Sequence, residues 1–369
     1  MGNSSSDVIG IDENLSKRII SIRFILIALI VFMHDNLTGV TIDGNLIPFT
    51  ADARYYPVPL YLYDIRLFIG KILGSAAVPL FFLISGLLHY AKEHTYKDTL
   101  YKKSKTILLP YVLWNVIAVV FVYLFQNINF TESFFSNPQY QVSHYSIYQW
   151  VDVFLGKITR NPRVPFVYQF WFLRDLMILF IASPLIKIVI DKFPFFSLLL
   201  SFFLWFINAR LYILSAEALF FFMLGYYVVK YNLRIEKIDA ISFLEVSVFF
   251  VILVILQCST KNSVVIEKTS IIVTMILLIK LTSIFIQSTT VYRVLKQLAY
   301  YSFWVYAIHE PVLLTLIKNI SVKVIPMKGF FTVIQYFAVG FITIFFALLS
   351  GIIIKKIFPK VYSVLTGNR

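Results

Sequence analysis

Residues 330–354 read FFTVIQYFAVGFITIFFALLSGIII and carry no charged side chain from end to end. As an α-helix rising about 1.5 Å per residue this stretch reaches about 37 Å, enough to cross a hydrocarbon core of about 30 Å with some tilt. Apolar windows of the same kind recur near residues 19–40, 68–90, 106–126, 166–190, 195–214, 216–229, 241–256, 270–286 and 298–317, joined by polar links. The pattern predicts an all-α fold, a polytopic transmembrane helix bundle of about ten spans. Composition agrees: 59% of the 369 residues are hydrophobic and 14% charged, against roughly half and a quarter in a soluble domain. A disordered chain and a water-soluble enzyme are thereby excluded.

The 33 Lys+Arg exceed the 19 Asp+Glu, for a net charge of +14. In an apolar chain that excess reads as topology, with basic residues held on the cytoplasmic side, rather than as a nucleic-acid surface. Lys17 and Arg18, Lys92 and Lys97 with Lys102, Lys103 and Lys105, Lys187 and Lys192, Lys230, Arg234 and Lys237, and Arg293 and Lys296 all fall in links on one side. The tail adds Lys355, Lys356, Lys360 and Arg369, so both termini are predicted to be cytoplasmic. The other side holds fewer, among them Lys157, Arg160 and Arg163. The expected division is a cytoplasmic segment 1–18, a membrane domain 19–354 and a basic cytoplasmic tail 355–369. The first 18 residues lack the basic start and apolar centre of a cleaved signal peptide, and residues 1–6 fit the permissive myristoylation pattern.

Two links on the far side, 41–67 and 127–165, are long and rich in Tyr, Asn, Gln, Asp and Pro. They read equally as caps of an external cleft or as solvated connectors. The single cysteine, Cys258, allows neither an intrachain disulfide nor a thiolate metal site. His89, His94 and His144 lack metal-ligand spacing, so no metal is expected. No phosphate-binding loop, dinucleotide fingerprint or nucleophile elbow occurs. Nor do matched broken segments in two halves, which weighs against a transporter.

Ionisable side chains inside the apolar windows are the sharper signal, because each costs about 2.5 kcal/mol or more in hydrocarbon and usually faces a cavity. Arg23 and His34 are separated by ten residues in the first window. Eleven steps of about 100° bring both to nearly one helix face, about 16 Å apart in depth. An imidazole that is neutral near pH 7 can remove a proton from a hydroxyl; the competing reading of His34 is a hydrogen bond between helices. Asp35 points about 100° away, so an orienting partner for His34 must come from another segment. In the fourth window Arg174 could hold an acyl carbonyl, a carboxylate or a developing oxyanion, or pair structurally with the adjacent Asp175. Tyr306 and His309 share a face of the ninth window, where Pro311 frees the carbonyl of Ala307. For His309 a structural helix-to-helix bond is the competing reading. Ser85 and Gly86 permit close backbone approach at the end of the second window. Lys102, Lys103 and Lys105, ahead of the third, could neutralise the phosphates of a cytosolic donor or simply mark the cytoplasmic side.

Taken in order, these segments resemble the acyltransferase 3 family of integral membrane O-acyltransferases, many of which modify bacterial surface polysaccharides. The likeness spans nearly the whole chain. Its most specific element is Arg23 and His34 with ten residues between, similar to the family's first-helix pair in which the histidine is the proposed base. Phe81-Phe82-Leu83-Ile84-Ser85-Gly86, Trp171-Phe172-Leu173-Arg174-Asp175, Phe222-Met223-Leu224-Gly225 and Ser302-Phe303 through Tyr306 and His309 resemble further family segments. One departure is that lysines stand where the family commonly has arginines before the third span, keeping the charge but losing the planar fork for phosphate.

The resemblance implies an acyl-CoA donor, acetyl-CoA above all, and no bound cofactor. It also implies a glycan or lipid-linked saccharide acceptor, membrane lipid around the chain, and a bacterial cytoplasmic membrane location. His34 and Arg23 are then expected to be catalytic. Arg174, Asp175, Ser85, His309 and Tyr306 would contact substrate, and Lys102, Lys103 and Lys105 the donor's phosphates. Rival readings are a carrier or exporter of lipid-linked sugar and a glycan polymerase, since intramembrane Arg and His also line translocation paths.

Overall fold

The computed structural model describes residues 12–42, 44–47, 60–92, 95–137, 140–156, 163–209, 211–260 and 263–368. The myristoylation-like start at residues 1–6, His94, Lys157, Arg160, Arg369 and the stretch 48–59 of the first long link lie outside these residues. In chain order the helices are α1 (Glu13–His34), α2 (Leu60–Arg66), α3 (Ala77–Tyr90), α4 (Tyr96–Lys103), α5 (Leu109–Gln126), α6 (Ile147–Asp152), α7 (Trp171–Lys192) and α8 (Pro194–Phe206). They continue with α9 (Ala216–Lys230), α10 (Phe243–Ser259), α11 (Val264–Gln287), α12 (Thr289–Ala299), α13 (Ser302–Ile308), α14 (Leu314–Val324), α15 (Phe331–Ile357) and α16 (Pro359–Thr366). Two-residue strands β1 (Thr41–Ile42) and β2 (Asn45–Leu46) pair antiparallel.

Every apolar window holds a helix. Four helical runs, Asp64–Tyr90, Tyr96–Gln126, Val264–Gln287 and Phe331–Ile357, are long and apolar enough to cross a membrane, while α8 and α10 are apolar but shorter. The chain is therefore an α-helical membrane protein.

The prolines set where the helices depart from regularity. Pro184 inside α7 cannot donate to the carbonyl of Phe180, one turn back, and Ser183 Oγ donates to that carbonyl at 2.8 Å instead. Pro110 falls in the first turn of α5, where no donor is required, after a wide turn at Ser104–Leu108. Pro311 has the largest effect. The residue before a proline is pushed out of the helical region, and Glu310 is extended at φ −131°, ψ 153°. The ninth apolar window, read from sequence as one helix, is thus divided into α13 and α14.

The chain forms two compact units, and the helices α1 and α7 contribute to both. The first unit comprises the residues up to Leu26, Ser75–Lys103 and Asp175–Ala299; the second comprises Ile27–Gly74, Ser104–Arg174 and Tyr300–Arg369. In the first, α3 and α9 cross closely at two glycines. A methyl on Gly86 would overlap the carbonyl of Phe222, and one on Gly225 would come within 2.5 Å of the Leu83 oxygen and the Leu87 nitrogen. Lipid is as apolar as leucine, so association in a bilayer depends on such close packing rather than on escape from water. Leu15, Ile19 and Leu87 form a cluster beside the crossing with Ile84, Leu88, Val228 and Val229 packed against it. Arg18 pairs with Asp239. Buried Lys280 donates to the carbonyls of Ile238, Asp239 and Ile241, which closes the short turn before α10.

In the second unit the hairpin after α1 folds Leu37, Val40, Ile42 and Ile47 into a cluster with Val322 and Met327. Phe32 lies against Gly340 of α15, and Tyr336 donates to the Phe32 carbonyl at 3.2 Å. Fully buried Asn115 of α5 accepts the Val167 N–H at 2.9 Å and donates to the Tyr111 carbonyl at 2.8 Å. That bond fixes the start of the turn Tyr168–Phe170, from which two residues reach the site below.

Candidate active site

His34 is the last residue of α1, and its ring meets His309 at the start of the α13–α14 break. His34 Nδ1 lies 3.0 Å from His309 Nε2. The ring planes differ by 10° and the centroids are 5.2 Å apart. The N···N distance plus one ring radius at each end accounts for that whole separation, so the rings meet edge to edge in nearly one plane, as an N–H···N hydrogen bond requires. The other nitrogen of His309, Nδ1, lies 2.8 Å from the carbonyl oxygen of Tyr306 and 3.2 Å from that of Val305. His309 is fully buried and His34 half-buried. Among the described residues His34 Nε2 has no hydrogen-bond partner. Tyr168 packs its ring edge-on to His34, with centroids 5.0 Å apart, and lies in electrostatic range of the Glu310 carboxyl.

The break at Glu310 is itself held open by Gln169. Gln169 Nε2 donates to the Glu310 carbonyl at 2.9 Å, and Tyr306 Oη donates back to the Gln169 carbonyl at 2.6 Å. Phe170 stacks on Tyr306 and on Tyr111. This two-way clamp holds the histidine of one helix at the end of another. The carbonyls that His309 engages belong to Val305 and Tyr306, not to Ala307, the one the position of Pro311 pointed to. His309 itself keeps helical backbone angles, φ −61° and ψ −35°, and its side chain lies back along α13 toward those two carbonyls.

Behind the histidines is a set of buried charges. Asp35 is 2% exposed and neither carboxylate oxygen has a hydrogen-bond partner. It lies in electrostatic range of Arg66, Lys318 and Glu310. Lys318 Nζ donates to the carbonyls of Thr38 at 3.0 Å and Asn36 at 3.4 Å, tying α14 to the chain just beyond His34. The Arg66 guanidinium stands over the Tyr336 ring, 5.1 Å from its centroid. No group of three or more His, Cys, Asp or Glu that could hold a metal ion occurs among the described residues.

Of the residues singled out from sequence, the structure brings His34, Tyr306 and His309 together in the second unit. Arg23, exposed on α1, belongs to the first unit. Arg174 donates from Nη1 to the carbonyls of Leu155 at 2.9 Å and Arg163 at 3.1 Å, tying down the end of the second long link. Asp175 accepts the Ser215 N–H at 2.8 Å and so anchors the residue that caps α9. Ser85 is half-buried on α3, next to the Gly86 crossing. Lys102 and Lys105 are exposed, and Lys103 Nζ stands 4.0 Å from the centre of the Phe180 ring. Sequence reasoning missed Tyr168, Arg66 and Lys318. Lys318 sits one residue beyond an apolar window and reads as a flanking charge, while Arg66 lies in a link without periodicity.

Residues 17–352 match the acyltransferase domain that defines the acyltransferase 3 family. Across 377 aligned residues, 97% of this chain and 94% of the relative, the chain is 25% identical to the succinoglycan biosynthesis protein ExoH of Rhizobium meliloti. No solved structure matches it. With the family pattern running through nearly all of its helices, this chain belongs to the acyltransferase 3 family and is an acyltransferase.

Proposed function

We propose that the protein transfers an acyl group from acyl-CoA to a hydroxyl of a cell-surface or lipid-linked glycan, with His34 as general base. The observation that carries this reading is the His34–His309 contact: one imidazole is held by a buried second ring while its own second nitrogen has no partner among the described residues. A base must be fixed in direction and still reach the proton it removes. His34 takes the acceptor's proton as the hydroxyl oxygen attacks the acyl carbonyl. Helices around the ring exclude water, which would otherwise compete as acceptor.

The glycan is suggested by the succinoglycan relative, and a bacterial cytoplasmic membrane, where CoA is available on the inner face, suits both substrates. Arg23 is carried over from the family pair as the second catalytic group. Lys102, Lys103 and Lys105 are assigned to the donor's phosphates. Arg174, Asp175 and Ser85 are assigned to substrate contact, and Tyr306 and His309 to the shape of the site around His34.

Purified protein in lipid nanodiscs, given radiolabelled acetyl-CoA and glycan from the host envelope, should label the glycan. The His34→Ala protein, verified to be folded by its unfolding temperature, should lose that activity by about 10²-fold or more. Full activity in that variant would remove His34 from the mechanism, and labelling by neither protein with any acyl-CoA would remove the proposed donor.

A further inference from the structure

We infer that His309 is a positioning residue that fixes the tautomer of His34, so that Nε2 of His34 is the nitrogen that accepts the proton. The inference rests on the reading of His34 as the base and specifies which of its atoms does the work. It follows from the direction of a chain of hydrogen bonds whose far end is unambiguous. A backbone carbonyl can only accept, so His309 Nδ1, 2.8 Å from the Tyr306 oxygen and 3.2 Å from that of Val305, carries the ring's hydrogen. An uncharged imidazole has one N–H, so His309 Nε2 presents a lone pair. His34 Nδ1, 3.0 Å from that lone pair and coplanar with it, must then be the donor. This leaves His34 Nε2 bare. The two carbonyls thus set the protonation pattern of both rings.

The arrangement serves the transfer in two ways. The hydroxyl proton moves to His34 Nε2 while the hydroxyl oxygen bonds to the acyl carbon and the C–S bond breaks. The proton then passes to the departing thiolate, and free thiol and ester are left. Throughout, His34 Nδ1 keeps its hydrogen and its acceptor, so the ring need not rotate between uptake and release. When His34 is transiently cationic, its Nδ1–H bond to His309 strengthens, and His309 in turn leans on the two carbonyls. A carboxylate would orient a base more strongly, but here the group that meets His34 Nδ1 is the ring nitrogen of His309.

The tautomer can be read directly. Full-length protein with 15N-labelled histidine rings, in lipid nanodiscs, is compared with its His34→Asn and His309→Phe variants so that both rings are assigned among the five histidines. The expected result is a protonated Nδ1 and an unprotonated Nε2 on His34, with a 15N–15N coupling across the hydrogen bond to His309. A proton on His34 Nε2, or no coupling, overturns the inference whether or not His34 is the base.

Kinetics supply the second arm. His309→Gln keeps a carbonyl oxygen able to accept from His34 Nδ1, whereas His309→Phe keeps the ring's bulk and offers no acceptor. The Phe variant should lose about 10²-fold in kcat with the donor KM little changed, and the Gln variant should recover most of the loss. If Gln and Phe are equally impaired while His34→Ala is inactive, the tautomer role fails and the base assignment stands. If His34→Ala is fully active, the base assignment fails on its own.

Discussion

Lys318 shows how much one buried side chain does for the site. Its ammonium bridges the carbonyls of Asn36 and Thr38 and lies in electrostatic range of two buried carboxyls, Asp35 and Glu310. Removing one partner from a buried set of charges leaves the others unpaired, which costs far more than an exposed ion pair is worth. Lys318→Met is therefore expected to lower stability by about 3 kcal/mol, visible as an earlier unfolding transition in a fixed detergent. An unchanged transition would mean that Asp35 and Glu310 do not depend on this cation. Asn115 belongs to the same scale. Asn115→Leu leaves the buried Val167 N–H without an acceptor, at about 1–3 kcal/mol, and should lower activity with stability because the turn that carries Tyr168 and Gln169 starts there.

Between helices, shape matters more than charge. The crossing of α3 and α9 brings Gly86 against the Phe222 backbone and Gly225 against Leu83 and Leu87. Two stretches that resemble family segments, 81–86 and 222–225, thus prove to be two sides of one contact. Any side chain at either glycine meets backbone, which cannot swing away, so Gly86→Val and Gly225→Val should each give a protein that aggregates in size-exclusion chromatography. Gly44→Ala serves as the comparison: nothing stands near a methyl there, although its φ of +81° still carries a local strain. A monodisperse, active Gly86→Val protein would show that the two helices can move apart at little cost. Pro184 and Pro311 act on the same scale: at the first a serine hydroxyl takes up the released carbonyl, and at the second the backbone changes direction.

For the molecule as a whole, the excess of basic residues is open to a functional test. Lys102 and Lys105 are exposed, so replacing both by Gln should leave the fold intact. If they receive the donor's phosphates, the donor KM should rise several-fold in the double variant, and added salt should raise the wild-type KM toward the same value by screening. An unchanged KM would return these lysines to a purely topological role. The family assignment favours acyl transfer over the carrier and polymerase readings of the sequence, and labelled acyl transfer by purified protein discriminates all three at once.

The positions of the helices were legible in the sequence because hydrocarbon imposes a severe filter: a segment without charges over twenty or more residues has few places to be other than a membrane. His34 stood out for the same reason, as a polar group where polarity is costly. Helical angle also argued that a partner for His34 had to come from another segment than the one carrying Asp35. What that partner was, only the tertiary structure decided. His309 and His34 are 275 residues apart in the chain, and the segments around their contact are tied by the Gln169 clamp and the Asn115 anchor, each a long-range hydrogen bond with no periodic trace in sequence. Hydrophobic periodicity is a local property and can be read locally. A hydrogen bond between two side chains is a property of the packed chain, and the direction of its proton depends on carbonyls that every residue possesses.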